Sequence, residues 1–309
     1  MSPGELLDAM SEYLSPEIVN HPDFAAIRAY FALLGPDIAA YTHYLEHNLL
    51  TGEVDVDFAF PTTIFGGMVR LEIEALFAEL MRPLAPGGQG QRLLQDTLER
   101  VRAAETQPSG VTIALDRLAK GHAQADVGFV FVDYMPEIAH GLDAFELVGG
   151  GDVSPLAPYV NEFRLGHAGS GWRNEKQRHK AYVVGALPDL AAKADRGIVD
   201  ERLDALAKEV GSDRRAHMVV DAQDGRAFRF GFELNFGRAG DPEYFAIVTR
   251  SRLWTEHISP ERDRQILSTP RAKLLPDGET GHLSLSHLKV SFDGSKDVEW
   301  KAYYVLLKG

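Results

Sequence analysis

The amino-acid sequence predicts an α+β fold, a closed ten-stranded antiparallel β-barrel surrounded by helices. Two observations lead to it. Five pairs of strand-like runs each flank a turn and alternate with helical patterns. The strands also have one apolar face and one face that mixes charged residues with tyrosines. An open α+β sheet with its polar face in water is the alternative. We favour the barrel because a solvated face is normally polar without aromatic rings, whereas a barrel of more than about eight strands can enclose a lined cavity.

The predicted elements alternate as hairpin and helix along the chain. Strand pairs are expected near residues 39–60, 111–133, 160–184, 226–250 and 282–306. Helices are expected near residues 16–36, 64–82, 92–106, 188–210 and 258–273. Turn signals lie at Thr51-Gly52, the glycine cluster Gly166 to Gly171, Gly237 to Pro242, and Asp293-Gly294. No low-complexity tract or long proline-rich linker divides the chain, so residues 1–309 are predicted to form a single domain.

Two segments fit more than one structure. IAAYTHYLEHN is interpreted as a strand because a glycine turn and a clear strand follow it. As a helix, it would set His43 and His47 four residues apart on one face, as a candidate metal pair. RRAHMVVDAQDG could form a hairpin with the next strand through Asp224-Gly225, or it could be the frayed end of the preceding helix.

The composition narrows the function classes. An apolar content of 45% with 25% charged residues is typical of a soluble globular protein. The absence of cysteine excludes disulfides, thiolate nucleophiles and cysteine-bound zinc. A net charge of −13 argues against a nucleic-acid partner. No run approaches the roughly 20 apolar residues of a membrane helix, and the N-terminal residues lack a signal-peptide pattern. We therefore expect a cytoplasmic protein, and we expect it to be a monomer.

The alternation of side chains along each strand separates an apolar face from a mixed one. The mixed face carries, strand by strand, Asp55 and Asp57 in EVDVDFAF, Lys180 and Tyr182 in RHKAYVV, Arg229 and Glu233 in RAFRFGFE, Tyr244 in EYFAIVTR, and Lys301 and Tyr303 in EWKAYYVL. Lys176 shares the parity of Lys180, and Lys289 belongs to the last hairpin without a determined facing. Trp172 is either a platform near the barrel mouth or a loop packing residue.

These residue types suit one kind of chemistry when they converge. Several cations would bind a compact anion, most naturally a diphosphate. Tyrosine rings beside them would shield a carbocation through the ring quadrupole. A carboxylate at the far side could orient an acceptor or take its proton. Together they are what ionisation of an allylic diphosphate requires.

The chain resembles the bacterial aromatic prenyltransferases of the ABBA type, which have repeated α-β-β-α units around a ten-stranded barrel. Five segments carry the resemblance in the same order as in that family: EVDVDFAFPTT, VGFVFVDYMPE, KQRHKAYVV, FELNF with EYFAIV, and HLKVSF with WKAYYV. The chain departs from the family in ADVGFVFV, which lacks the usual basic residue. It also departs at Pro242, where the family has an arginine that Arg229 on the facing strand could replace. The resemblance implies transfer of a dimethylallyl or geranyl group from its diphosphate to an electron-rich aromatic acceptor.

Roles for the site residues follow from this resemblance and from the mixed face. The residues predicted to bind diphosphate are Lys180, Arg229 and Lys301, with Lys289 and Lys176 as further candidates. Those predicted to shield the prenyl cation are Tyr182, Tyr244 and Tyr303. Glu233 or Asp57 is predicted to contact the acceptor. Asp55 matches a position where some family members hold magnesium, whereas others need no metal. No cofactor is therefore expected to be required, and magnesium is a candidate only. The rival function is a non-catalytic barrel that binds an amphipathic or anionic small molecule.

Overall fold

A computed structural model describes residues 2–40, 42–61, 70–84, 86–105, 108–133, 141–173, 176–236, 241–267, 273–274, 280–295 and 297–308. Parts of several predicted elements lie outside these ranges. They include the Pro-Thr corner after residue 61, the Met-Pro turn after residue 133, residues 64–69 and 268–272 of two predicted helices, and residues 237–240 of a predicted turn.

The described strands form one antiparallel sheet that closes on itself. They are β1 Thr42–Asn48, β2 Val54–Pro61, β3 Gly110–Asp116, β4 Asp126–Asp133, β5 Arg164–Arg173, β6 Lys176–Ala186, β7 Arg215–Gln223, β8 Arg226–Asn235, β9 Lys273–Leu274, β10 Thr280–Phe292 and β11 Glu299–Lys308. Each strand from β1 to β7 pairs with the next one in the chain, β8 pairs with β10, and β10 pairs with β11. Because β11 also pairs with β1, ten strands close a barrel, and β9 is a two-residue addition beside β10. The predicted fold class is confirmed.

Helices cover the outside of the barrel. The described ones are α1 Pro3–Ser11, α2 Pro16–Val19, α3 Pro22–Phe31, α4 Arg70–Met81, α5 Gln89–Ala103, α6 Ala144–Leu147, α7 Ala157–Val160, α8 Leu187–Lys193, α9 Arg202–Val210, α10 Pro242–Arg250, α11 Arg252–Thr255 and α12 Pro260–Leu267. Capping signals fix several starts. Ser2 and Glu5, for example, form a reciprocal capping box at α1. Within the described ranges, no helix is both long and apolar enough to cross a lipid bilayer.

The hydrophobic core lies between the barrel and these helices. The apolar face of β2, with Val56 and Phe58, is almost fully buried, and Phe31 of α3 packs against Phe58 with ring centroids 5.5 Å apart. The opposite face of the strands points into the barrel. Alternation in sequence therefore sorts each strand into a core-facing side and an interior-facing side.

The fourth hairpin differs from the prediction. Its strands are β7 and β8, joined at Asp224 and Gly225, whose φ angles of 52° and 73° give the tight turn that an Asp-Gly pair favours. The strand predicted at EYFAIVTR is wrong, because this segment is helix α10. Asp241 caps it by accepting a hydrogen bond from the Tyr244 backbone N–H at 2.8 Å, and Pro242 occupies the first turn.

The turn predicted at the glycine cluster is also wrong, because these residues lie inside β5. A Cβ atom on Gly169 would sit 2.1 Å from Cδ1 of Phe131, and one on Gly171 would sit 2.7 Å from the ring of Phe129. The glycines therefore leave room for two phenylalanine rings in the barrel interior. The turns at Thr51-Gly52 and Asp293-Gly294 are confirmed, with φ angles of 81° at Gly52 and 82° at Gly294.

The ambiguous first segment is strand β1, so the helical histidine pair is wrong. His47 lies on the outer face with only 2% of its surface exposed. The side chain of His43 is outside the described part of the chain.

Candidate active site

The barrel interior contains a cavity of about 850 Å³, a volume that includes its open mouth. Its charged and polar lining comes from inward-facing positions of the strands: Glu46, Asp55, Asp57, Asp116, Lys180, Asp221, Arg229, Lys289, Ser291, Glu299 and Lys301. Its aromatic lining consists of Phe129, Phe131, Trp172, Tyr182 and Tyr303. The tyrosine-and-cation face predicted from sequence thus encloses a chamber.

The mouth of the cavity lies at the β3–β4 end of the barrel. Asp116, Gly128 and Trp172 line both the cavity and an adjoining surface depression that also includes Asp126. Asp126 accepts a hydrogen bond from the backbone N–H of Gly90 at 3.2 Å, in the first turn of α5. Asp126, the acidic residue of ADVGFVFV, therefore caps the start of α5, and Trp172 is a residue of the mouth.

Three of the cavity cations are held by carboxylates. Lys301 forms an ion pair with Glu46 and lies 3.8 Å from Oε2 of Glu299. Arg229 forms a close ion pair with the same Glu299. Lys289 lies 3.4 Å from Oε1 of Glu233. Because β8, β10 and β11 are neighbouring strands, these three cations form one basic wall, which Lys180 extends from β6.

Lys180 is the exception in this wall. No carboxylate oxygen of the described residues lies within 4.0 Å of its Nζ atom, which instead sits 4.0 Å from the ring centroid of Phe129 and 6.0 Å from that of Phe131. Burial lowers the pKa of Lys180 to about 8, and the neighbouring cations add to this effect against the opposing pull of Asp221. A cationic ammonium held this way can gain most from a bound anion.

An acidic wall faces the cations from β1 and β2. Glu46 is paired across the ladder with Asp55 and with Tyr303. Burial opposes ionisation of Glu46, but Lys301 and the hydrogen bonds from Lys301 and Tyr303 outweigh it and lower its pKa to about 2. Burial and then the Glu46 charge raise the pKa of Asp57 to about 7, and the same causes raise that of Asp55. The acidic wall thus combines an ionised carboxylate, Glu46, with two carboxyl groups, Asp55 and Asp57, whose raised pKa favours the protonated form.

Tyr182 and Tyr303 each lie two residues beyond a lysine, Lys180 or Lys301, on the same strand. Tyr182 makes edge contacts with Phe131 and His167, with ring centroids 5.5 and 5.3 Å apart. Tyr303 donates a hydrogen bond to Glu46 and stacks on His287 at 4.2 Å. Burial, and then nearby carboxylates, raise the pKa of both hydroxyls well above the usual value. Both rings therefore stay neutral and present electron-rich surfaces to the chamber.

Three predicted site residues lie elsewhere. Tyr244, on α10, is 1% exposed, packs against Phe236 at 5.3 Å and is not part of the cavity lining. Lys176 is exposed and lies 2.6 Å from Asp224 at the rim of the barrel. Glu233 is held by Lys289 and by His217, at 3.2 Å, and does not line the cavity. Burial disfavours its charge, yet Lys289, His287 and His217 hold its pKa well below the usual range.

Several lining residues were not predicted from the sequence. Glu46, Asp221 and Ser291 are polar strand residues, and only their parity with Tyr44, Val219 and Lys289 along the same strand could have identified them. The hydroxyl of Ser291 is 3% exposed and has no hydrogen-bond partner among the described groups. It therefore offers a donor beside the basic wall.

A metal site has no support in the described part of the chain. No group of three or more histidines, aspartates or glutamates is arranged there to hold an ion. Burial, and then the neighbouring acids Glu46 and Asp57, raise the pKa of Asp55, the magnesium candidate.

Comparison with known proteins identifies the fold. No protein-family model and no curated protein match the chain. Among solved structures, the prenyltransferase PriB in a ternary complex with L-tryptophan and dimethylallyl thiolodiphosphate is 14% identical, with a TM-score of 0.61 over 97% of this chain and 94% of PriB. The 5-dimethylallyl tryptophan synthase from Streptomyces coelicolor with DMASPP and Trp is 12% identical, with a TM-score of 0.58 over 97% and 92%. AnaPT from Neosartorya fischeri is 12% identical, with a TM-score of 0.59 over 98% and 91%. The chain has the fold of the ABBA prenyltransferases.

Proposed function

We propose that this protein is an aromatic prenyltransferase that transfers a dimethylallyl or geranyl group from its diphosphate to an electron-rich aromatic ring. The observation that carries the proposal is the convergence of Lys180, Arg229, Lys289 and Lys301 with Tyr182 and Tyr303 inside one closed barrel. The PriB complex supports it, because that protein of the same fold holds a prenyl thiolodiphosphate and an aromatic amino acid.

The basic wall would bind the diphosphate of the donor. Lys180 lacks a carboxylate partner among the described residues and would make the strongest new contact, while Arg229 and Lys301 would exchange Glu299 for phosphate oxygens. Ser291 would add a hydroxyl donor. These groups stabilise the charge that develops on diphosphate as its bond to the first prenyl carbon breaks.

The tyrosines and the acidic wall would serve the second half of the reaction. The diphosphate leaves with the electron pair of the broken C–O bond, and Tyr182 and Tyr303 shield the resulting allylic cation. The aromatic ring of the acceptor forms the new bond to that cation and then loses a proton. Asp57 is the proposed acceptor contact and proton acceptor, because a pKa of about 7 suits proton transfer near neutral pH.

A non-catalytic carrier is the second candidate. The described lining contains six carboxylates against four cations, and three of those cations already have carboxylate partners. This balance favours a less highly charged ligand than a diphosphate.

A single domain, a monomeric state and a cytoplasmic location stay predictions from the sequence.

Incubation with dimethylallyl and geranyl diphosphates and a panel of phenols, indoles and phenazines tests the proposal. Mass spectrometry should detect a prenylated product together with released diphosphate. Lys180→Met should reduce product formation by about 10-fold or more at low donor concentration, whereas Lys176→Met, at the exposed rim, should not. Binding of donor or acceptor without diphosphate release would favour the carrier.

A further inference from the structure

An aromatic layer closes the bottom of the cavity. Among the described residues, the lining ends at Asp57, Phe131, Tyr182 and Tyr303. Three interior residues beside this layer, His167, His217 and Glu233, are not part of the lining. The chamber below the basic wall is therefore shallow.

The depth of this chamber follows from the strand geometry. Strands β4, β6 and β11 run in the same direction in the antiparallel barrel, and on each the layer residue lies two positions beyond an upper one. The pairs are Phe129 and Phe131, Lys180 and Tyr182, and Lys301 and Tyr303. A two-residue step along a strand spans roughly 7 Å. A diphosphate bound at the lysines would therefore leave roughly 7 Å for the prenyl group before it reaches the aromatic rings.

Phe131 contributes a phenylalanine ring to this aromatic layer. Its ring centroid is 6.0 Å from Nζ of Lys180, so a prenyl chain that extends from that ammonium into the barrel interior would meet the ring. Phe131 is 6% exposed and is braced on three sides: it stacks on Phe129 at 5.7 Å, meets Tyr182 edge-on, and covers the backbone of Gly169. Since a Cβ on Gly169 would lie 2.1 Å from the ring, the glycine fixes where the ring sits.

We propose that Phe131, seated on Gly169, limits the length of the prenyl chain, so that the protein binds the dimethylallyl donor and excludes the geranyl donor. This inference rests on the proposed function and specifies its donor. A geranyl chain carries one more five-carbon unit, which would have to displace the packed rings. Overpacking of this kind is strongly unfavourable in a close-packed interior.

Binding of the two unreactive donors, dimethylallyl and geranyl thiolodiphosphate, tests the inference by calorimetry on the full chain. The wild-type protein should bind the dimethylallyl compound at least about tenfold more tightly. Phe131→Ala should remove this preference by improving geranyl binding. Gly169→Ala, which pushes the ring into the chamber, should weaken dimethylallyl binding. Phe58→Leu is the matched control, because Phe58 is a buried ring on the outer face of β2 that does not line the cavity, so its loss should not change the preference between the two donors.

Each outcome decides a different point. Equal affinities of the wild-type protein for both donors, or an unchanged preference in a folded Phe131→Ala variant, would refute the length limit while leaving the proposed function intact. Binding of neither donor would refute the proposed function and the limit with it. Because loss of a buried ring can unfold a protein, circular dichroism accompanies each titration, and Phe131→Leu provides a milder variant with the same expected direction.

Discussion

Replacement of Lys180 by methionine should stabilise the fold while it disables donor binding. Burial lowers the pKa of this lysine from 10.5 to about 8, so keeping the ammonium charged costs the folded state about 3 kcal/mol at neutral pH. Its position 4.0 Å from the Phe129 ring offsets about 1–2 kcal/mol of that cost. Methionine preserves the length and apolar body of the side chain without the charge. We therefore expect the free energy of unfolding to rise by about 1–2 kcal/mol at pH 7.

The pH dependence of this gain has a definite sign. The folded-state pKa of Lys180 lies below the unfolded value, so the unfolded chain binds more protons between about pH 8 and 10.5. The wild-type protein consequently recovers stability as the pH rises through that window, and the advantage of Lys180→Met should fade. Donor affinity should decrease by about 10- to 100-fold, the value of one charge-assisted hydrogen bond.

Urea denaturation at pH 7 and pH 9.5, with calorimetric titration of dimethylallyl thiolodiphosphate, measures both effects. Lys176→Met is the matched control, because this exposed ion pair should contribute less than about 1 kcal/mol and no donor contact. A Lys180→Met protein that is less stable than the wild type, or that binds donor equally well, would show that the lysine is a structural residue.

Two other substitutions test the remaining assignments. Burial and the charge of Glu46 raise the pKa of Asp57 from 3.8 to about 7, so the stability of the wild-type protein should fall as the pH rises through this interval. In urea denaturation, the free energy of unfolding of Asp57→Asn should exceed that of the wild type by about 2–4 kcal/mol at pH 8, but not at pH 4. Equal pH profiles would contradict the raised pKa. The Tyr244 hydroxyl is buried and has no hydrogen-bond partner among the described groups, so Tyr244→Phe should raise the free energy of unfolding by up to about 1 kcal/mol. Donor binding measured by calorimetry should not change. Weaker binding by this variant would show that Tyr244 contributes to the site.

The alternation of side chains made much of the barrel predictable. Lys180 with Tyr182 and Lys301 with Tyr303 reach the interior because residues two apart share a face of a strand, and this rule needs no knowledge of the neighbouring strands. Closure could not be derived as directly. It depends on the pairing of β1 with β11, and an isolated strand pattern does not specify its distant partner.

The errors arose where two local signals competed or where a distant contact decided. In EYFAIVTR, aromatic and β-branched residues favour a strand, but Asp241 and Pro242 before it form a helix start, and Tyr244 and Val248 share its buried side. The glycines of β5 suggested a turn because the phenylalanine rings that require them belong to β4. No local pattern marks such a contact.

The salt links of the basic wall were similarly out of reach. Glu46 and Glu299 are ordinary strand residues in sequence, and their pairing with Lys301 and Arg229 depends on the register between distant strands. Alternation placed Lys180, Arg229 and Lys301 on the inward face, whereas only the assembled barrel shows which of them already have partners.

The pairing of β1 with β11 also determines the order in which the chamber can be assembled. Glu46 finds Tyr303 opposite it, and Asn48 finds Lys301, across some 250 residues of intervening chain. Contacts this far apart carry the highest loop-closure entropy, so they form late in folding. A nascent chain lacking its final strand would leave Glu46 without its counter-charge, and the proposed donor site would be complete only once that strand docks.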